Sequence, residues 1–237
     1  MFAAIFDLVL PSACAGCGSN GGAAALCSDC VAALTAVRPQ RVRPDPEPDG
    51  LPPTFALAAY AGAVRDALLQ YKEKGRHGLS AALGDQLARV VARGIHRDRP
   101  ILLVPVPATA AAIRQRHGDH VLRLAERAAR TLWRQGRPAA VAGALRALPK
   151  SDSAELTALE RARAAKTAFA ARPGRLPGVR DAAAGGAVVV LVDDIVTTGS
   201  TLVAATNRLA EGGVPVGYAA VIAATQRRGT SGVLHRT

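Results

Sequence analysis

Aromatic residues are scarce, with four Phe, three Tyr and one Trp making up 3% of the chain. A platform that stacks successive nucleic-acid bases would have few rings to use, so any grip on nucleic acid must rest on groove electrostatics. No segment approaches the roughly 20 apolar residues that span a bilayer, so no membrane insertion is expected. Acidic residues are outnumbered, 18 Asp+Glu against 30 Lys+Arg, for a formal charge of +12. That balance favours a polyanionic or phosphorylated partner, although abundant Arg also arises from genomic composition. The apolar start lacks a positive leading region and carries Asp7 inside its run, which argues against an export signal. Phe2, Ile5, Phe6 and Val9 recur at helical spacing and predict a short amphipathic helix. A cytoplasmic, soluble protein is the expectation.

Cysteine is missing from everything after residue 30; all four fall in Cys14-x-x-Cys17 and Cys27-x-x-Cys30. Two such pairs can place four thiolates tetrahedrally around Zn²⁺, with Gly16, Gly18, Gly21 and Gly22 supplying the turns. Redox dithiols or disulfide bridges are the alternative use. A closed four-Cys site leaves no position for substrate, so the expected role is structural or for partner contact.

What is present in quantity is apolar residue, 49% of 237, enough for a substantial core beside a small attachment. Three regions are expected: 1–37, an N-terminal helix and four-Cys zinc module; 38–53, a Pro-rich linker; and 54–237, an α/β domain. In that domain Phe55–Tyr60 and Ile101–Val104 read as strands, and Ala63–Tyr71, Leu79–Val91 and Ala108–Ile113 as helices. Lys72, Lys74, Arg76 and His77 form either a solvated turn or a phosphate-facing lip. Pro105-Val106-Pro107 stiffens the exit from a strand, and Arg114 and Arg116 lie close enough to give such a loop charge for pyrophosphate. A helix over Val121–Trp133 aligns Arg123, Arg127, Arg130 and Arg134 in a basic stripe, which is either a solvated face or a track for a nucleic-acid backbone. Trp133 reads as core or flank. Leu145–Ala170 is basic, with a helix expected over Ser153–Ala168 and Arg161 within it. The segment before the main strand reads as a loop rich in Gly and Pro, Val214–Ala223 as a further strand, and the tail from Thr225 as frayed.

The most informative stretch is Val188–Thr201. A β-branched apolar run predicts a buried strand, Asp193 and Asp194 follow at its carboxyl end, and Thr197, Thr198, Gly199, Ser200 and Thr201 open into a helix over Leu202–Ala210. Ligands of open α/β sheets bind at that end, where a helix N-terminus presents unpaired N–H groups to an anion. Gly199 permits close backbone approach and the hydroxyls add donors. Two adjacent carboxylates would repel a bare phosphate, so they suit a pair of ligand hydroxyls or Mg²⁺ held through water. A sugar phosphate satisfies both halves. The reading of a plain strand-turn-helix with Ser/Thr caps is the alternative.

This stretch resembles the PRPP-binding signature of the type I phosphoribosyltransferase fold, matching it position by position. With the four-Cys knuckle, Tyr60-Ala-Gly, Lys72 with Gly75, Val104-Pro-Val-Pro107 and Leu159-Glu-Arg161 with Phe169, the chain resembles the ComF family of phosphoribosyltransferase-like proteins associated with DNA uptake. The resemblance implies a mainly parallel sheet flanked by helices behind a small zinc module. It also implies that Asp193 and Asp194 contact ribose hydroxyls, that Thr197–Thr201 cradle the 5′-phosphate, and that Mg²⁺ accompanies PRPP. Single-stranded DNA and other competence proteins are its implied partners. The chain departs from the family where Arg116-His-Gly-Asp-His120 replaces an Arg-Gly-Phe-Asn-Gln run, and where Ser153 and Ala164 stand for Gln and Asn. Catalytic residues are therefore open, with Arg114, Arg116 and Arg161 as candidates, and both a transferase and a binding protein remain possible.

Overall fold

The computed structural model describes residues 13–20, 25–149 and 168–225. The expected amphipathic helix over Met1–Leu10, all but the last residue of the expected Ser153–Ala168 helix, Arg161, and the tail after Thr225 lie outside them.

Short β-branched and alanine-rich runs build the sheet. Strands β1 (Gln40–Val42), β2 (Thr54–Ala59), β3 (Ile101–Pro105), β4 (Ala139–Val141), β7 (Val188–Val196) and β8 (Tyr218–Ala224) form one sheet in the order β1-β2-β8-β7-β3-β4. All neighbours are parallel except β1 with β2. A second, two-stranded antiparallel sheet joins β5 (Leu145–Ala147) to β6 (Phe169–Ala171). Helices α1 (Ser28–Ala36), α2 (Gly62–Glu73), α3 (Leu79–Arg93), α4 (Ala110–Gln115), α5 (His120–Arg134), α6 (Leu176–Ala184) and α7 (Ser200–Glu211) complete the described elements. The fold is α/β, with a mainly parallel sheet flanked by helices.

Strand β8 is buried along its whole length, as a strand covered on both faces must be. The pleat sends Val190 and Val192 of β7 to one face, where they join Leu68, Leu83, Leu87, Leu124 and Leu132 of α2, α3 and α5. Val189 and Leu191 face the other way, toward Val179 of α6 and Leu202 and Leu209 of α7. Either face is intolerant of truncation; losing one of these fully buried leucines to alanine costs about 2–5 kcal/mol.

Three expectations change here. The Pro-rich segment does not simply connect. It contributes β1, a proline-free stretch between Pro39 and Pro44, to the sheet edge. The Gly- and Pro-rich segment before β7 forms α6, started by Pro177 in its first turn, where a missing N–H costs no helical bond. Trp133 is 65% exposed, because it lies off the apolar stripe of Leu124, Ala128 and Leu132 that packs α5 on the sheet.

Candidate functional site

Strand β7 carries two acidic residues at its carboxyl end, and their environments differ. Asp194 is 4% exposed. Its Oδ2 lies 3.0 Å from Lys72 Nζ and 3.1 Å from His120 Nε2. An ionised carboxylate only accepts, so the imidazole Nε2–H must be the donor. Burial opposes the Asp194 charge, but the His120 hydrogen bond and the Lys72 charge outweigh it and hold the carboxyl well below the usual range. Asp193 is half-buried, and its Oδ1 accepts the Asp194 N–H at 2.8 Å. Burial and the adjacent Asp194 charge push its carboxyl above the usual range, so it holds its proton more tightly.

The two partners of Asp194 arrive from two helices. Lys72 is in the last turn of α2, with a side chain 26% exposed toward the site. His120 opens α5, just after Asp119, whose carboxylate caps that helix through the Val121 and Leu122 N–H groups. Tyr71 fixes the histidine further, donating its hydroxyl to the His120 carbonyl at 2.8 Å. His120 Nδ1 is buried with no hydrogen-bond partner among the described residues.

Beyond the acidic pair, Gly199 takes φ +79°, which an L side chain rarely adopts. It is also roofed by the Pro-rich segment. A Cβ there would stand 2.9 Å from Leu51 Cδ1 and 3.2 Å from Pro48 Cγ. Thr197, Thr198, Ser200 and Thr201 are exposed at the start of α7, with Thr198 Oγ1 and Ser200 Oγ 3.0 Å apart. Hydroxyls and the first-turn N–H groups of a twelve-residue helix thus face one opening. Beside Thr197, a groove of about 740 Å³ runs between β1 and the ends of β2, β7 and β8, edged by Arg38, Arg41 and Arg43.

Residues 181–232 match the family model of the phosphoribosyl transferase domain. Over that stretch the chain is similar to phosphoribosyl transferase domains, and the match supports a ribose-phosphate-binding role. It covers the end of α6 and all of β7, α7 and β8, which contain the acidic pair and its loop. No curated protein matches the chain.

Of the residues singled out in the sequence, Asp193, Asp194 and Thr197–Thr201 converge on this opening. Arg116 pairs with Glu73 at 3.1 Å, and Arg114 is exposed at the end of α4. Lys72 is neither in a solvated turn nor unpaired; it is the counter-ion of Asp194. His120 is the site residue that sequence reading did not assign, although a histidine directly after an Asp cap opening an apolar-faced helix is a signal that it turns inward. The arginine stripe of α5 is largely engaged within the molecule. Arg127 makes a bidentate pair with Asp85 at 2.8 Å, Arg123 meets His77 at 2.8 Å, and Arg134 donates to Thr131. Arg130 is exposed, so neither a plain solvated face nor an open phosphate track describes this helix as a whole.

The second cluster is at the other end of the chain. The Sγ atoms of Cys14, Cys17, Cys27 and Cys30 lie within 4.8 Å of one another, and no disulfide joins them. N–H groups of Gly16 and Cys27 point at Cys14 Sγ at 3.4 and 3.3 Å, and the Cys30 N–H at Cys27 Sγ at 3.5 Å, an arrangement that stabilises thiolates. Burial works against ionising Cys14, but those donors bring it down to about 6; burial pushes the Cys30 thiol up. Four sulfur donors at this spacing fit a tetrahedral metal. No comparable group of three or more ligating side chains occurs elsewhere among the described residues. Asp194 Oδ2 is already taken by Lys72 and His120.

Proposed function

We propose that this chain is a ComF-type protein that binds PRPP or a related ribose phosphate and handles single-stranded DNA during DNA uptake, with other competence proteins as partners. The observation that carries the ligand reading is the Asp193-Asp194 pair at the end of β7, leading directly into the left-handed Gly199 turn and the N-terminus of α7. Thr197, Thr198, Ser200 and Thr201 would donate to the 5′-phosphate, and Gly199 lets the backbone reach it. Asp193 would accept from a ribose hydroxyl, while Asp194 is anchored beneath by Lys72 and His120. Mg²⁺ belongs to the ligand in this reading, carried on the diphosphate oxygens as is usual for that ion. Zn²⁺ is the metal of the four-Cys module, and its role is structural.

A second reading is favoured by the groove beside Thr197, which offers an acceptor room next to the sugar. In it the chain is an active phosphoribosyltransferase of nucleotide metabolism. The C1–oxygen bond to diphosphate breaks, diphosphate leaves with the electron pair, and an acceptor nucleophile bonds to C1 and loses its proton. Basic side chains stabilise the leaving group. Filter binding of single-stranded DNA across a salt series, run beside an assay for diphosphate release from PRPP, separates the two. DNA binding that falls steeply with salt, without diphosphate release, is the expected result. Absent or salt-insensitive DNA binding contradicts the DNA role, and acceptor-dependent diphosphate release establishes the transferase.

A further inference from the structure

Helix α2 is held at both ends by the cysteine module. At its start, a Cβ on Gly16 would lie 3.3 Å from Ala63 Cβ and 3.0 Å from Cys30 Sγ, so the knuckle backbone rests on the first turn. Beyond its end, Arg76 Nη1 donates to the Ala13 carbonyl at 2.9 Å, and a Cβ on Gly78 would touch Ala25 Cβ at 3.8 Å. Cys14, Ala15, Leu26 and Cys30 share one apolar cluster with Val64, Leu68 and Tyr71 of that helix. Between these attachments α2 carries both groups that reach the cradle. Lys72 Nζ is 3.0 Å from Asp194, and the Tyr71 hydroxyl holds the backbone of His120, the other partner of the same carboxylate.

We propose that Lys72 is a positioning residue of the ribose-phosphate site, acting through Asp194, and that metal loading of the four-Cys knuckle sets its place by fixing α2. This rests on the ribose-phosphate reading above. A closed four-Cys centre has no open coordination position, so any influence on a distant ligand must travel through packing. Here the packing is continuous: knuckle to α2, α2 to Lys72, Lys72 to the strand that ends in the cradle. Structural metal and local fold are linked, so metal loss loosens the knuckle and frees both ends of the helix. Asp194 then keeps a buried charge without its ammonium partner, and the end of β7 is no longer held in its ligand-ready geometry. By reciprocity, a bound ribose phosphate tightens retention of the metal by the same factor.

The test uses the full chain, zinc-loaded and after chelation, titrated with ribose 5-phosphate by calorimetry and followed by hydrogen exchange. Chelation is expected to weaken binding roughly tenfold, within the range of ordinary coupling energies. Amides of α2 should exchange faster while those of β7 and β8 stay protected. Lys72→Met should weaken the loaded protein similarly with zinc still bound, chelation should then add little, and Lys72→Arg should restore part of the affinity. Equal affinity with and without metal overturns the proposal, as does full additivity of Lys72→Met and chelation. If chelation unfolds the whole chain, Arg76→Met decides instead, because it cuts the tie to Ala13 with the metal in place; undiminished affinity in it overturns the proposal. Failure of the loaded wild-type protein to bind ribose 5-phosphate or PRPP is failure of the ribose-phosphate reading, visible before any variant is made. The exchange pattern of α2 then decides the coupling by itself.

Discussion

Two clusters of acidic groups sit in this molecule, and the chain treats them differently. At the end of β7, the charge of Asp194 is met by Lys72 and His120 on one oxygen. At the knuckle, four thiols within 4.8 Å of one another receive backbone N–H groups. One site brings its own counter-charge; the other has four sulfur donors placed to hold a metal. The proposed reading follows this contrast, with Zn²⁺ on the protein and Mg²⁺ on the ligand.

The largest effect that would test this contrast is at the metal-dependent cluster. Cys30→Ser removes a buried ligand that also packs on the first turn of α2. It should abolish stoichiometric zinc and lower the melting temperature strongly, read by elemental analysis and calorimetric melting. Unchanged zinc content would show that the cluster is not the metal site.

Asp194→Ala comes next. It leaves Lys72 and the buried His120 without their shared partner, and should cost roughly 3 kcal/mol or more in denaturant unfolding. A loss of affinity with full stability, the outcome for a plain ligand contact, would mean that Lys72 and His120 are not held by this carboxylate.

Asp193→Asn should act in the opposite direction on stability. Asp193 binds its proton more tightly when folded, so its contribution is full below the ordinary carboxylate range and is lost as pH rises through its own raised value. Asp194 is the reverse, contributing above that range and losing it as pH falls toward its depressed value. The Asn variant should therefore gain about 1 kcal/mol at neutral pH, show a flatter stability profile above the carboxylate range, and bind ribose 5-phosphate less well. A profile identical to wild type would mean that Asp193 carries no uncompensated charge.

Local patterns carried much of this. The run Val188–Val192, the Asp pair and Gly199 announced a strand, a charge and a turn, because each is decided within a few residues of chain. Four cysteines at paired spacing were equally local. The partners of Asp194 were not, since Lys72 and His120 are brought to it by the packing of α2 and α5 on the sheet, at separations no periodicity encodes. Prolines in the 38–53 segment suggested a connector, yet the proline-free run Gln40–Val42 pairs at the sheet edge, and Pro44, Pro48 and Leu51 close over Gly199. The spacing of Arg123, Arg127 and Arg134 placed them on one face, but Asp85 and His77 on neighbouring segments determine what they touch.

The most direct measurement is calorimetric titration of PRPP with Mg²⁺, and of ribose 5-phosphate, into the wild-type chain and Gly199→Val. A side chain there is excluded both by φ +79° and by Leu51 at 2.9 Å, so the variant distorts the turn while sparing Asp193, Asp194 and the knuckle. One saturable site per chain in the wild type and loss of binding in Gly199→Val is the expected result. No binding to the wild type, or equal affinity in the variant, would contradict a ribose-phosphate cradle at the end of β7.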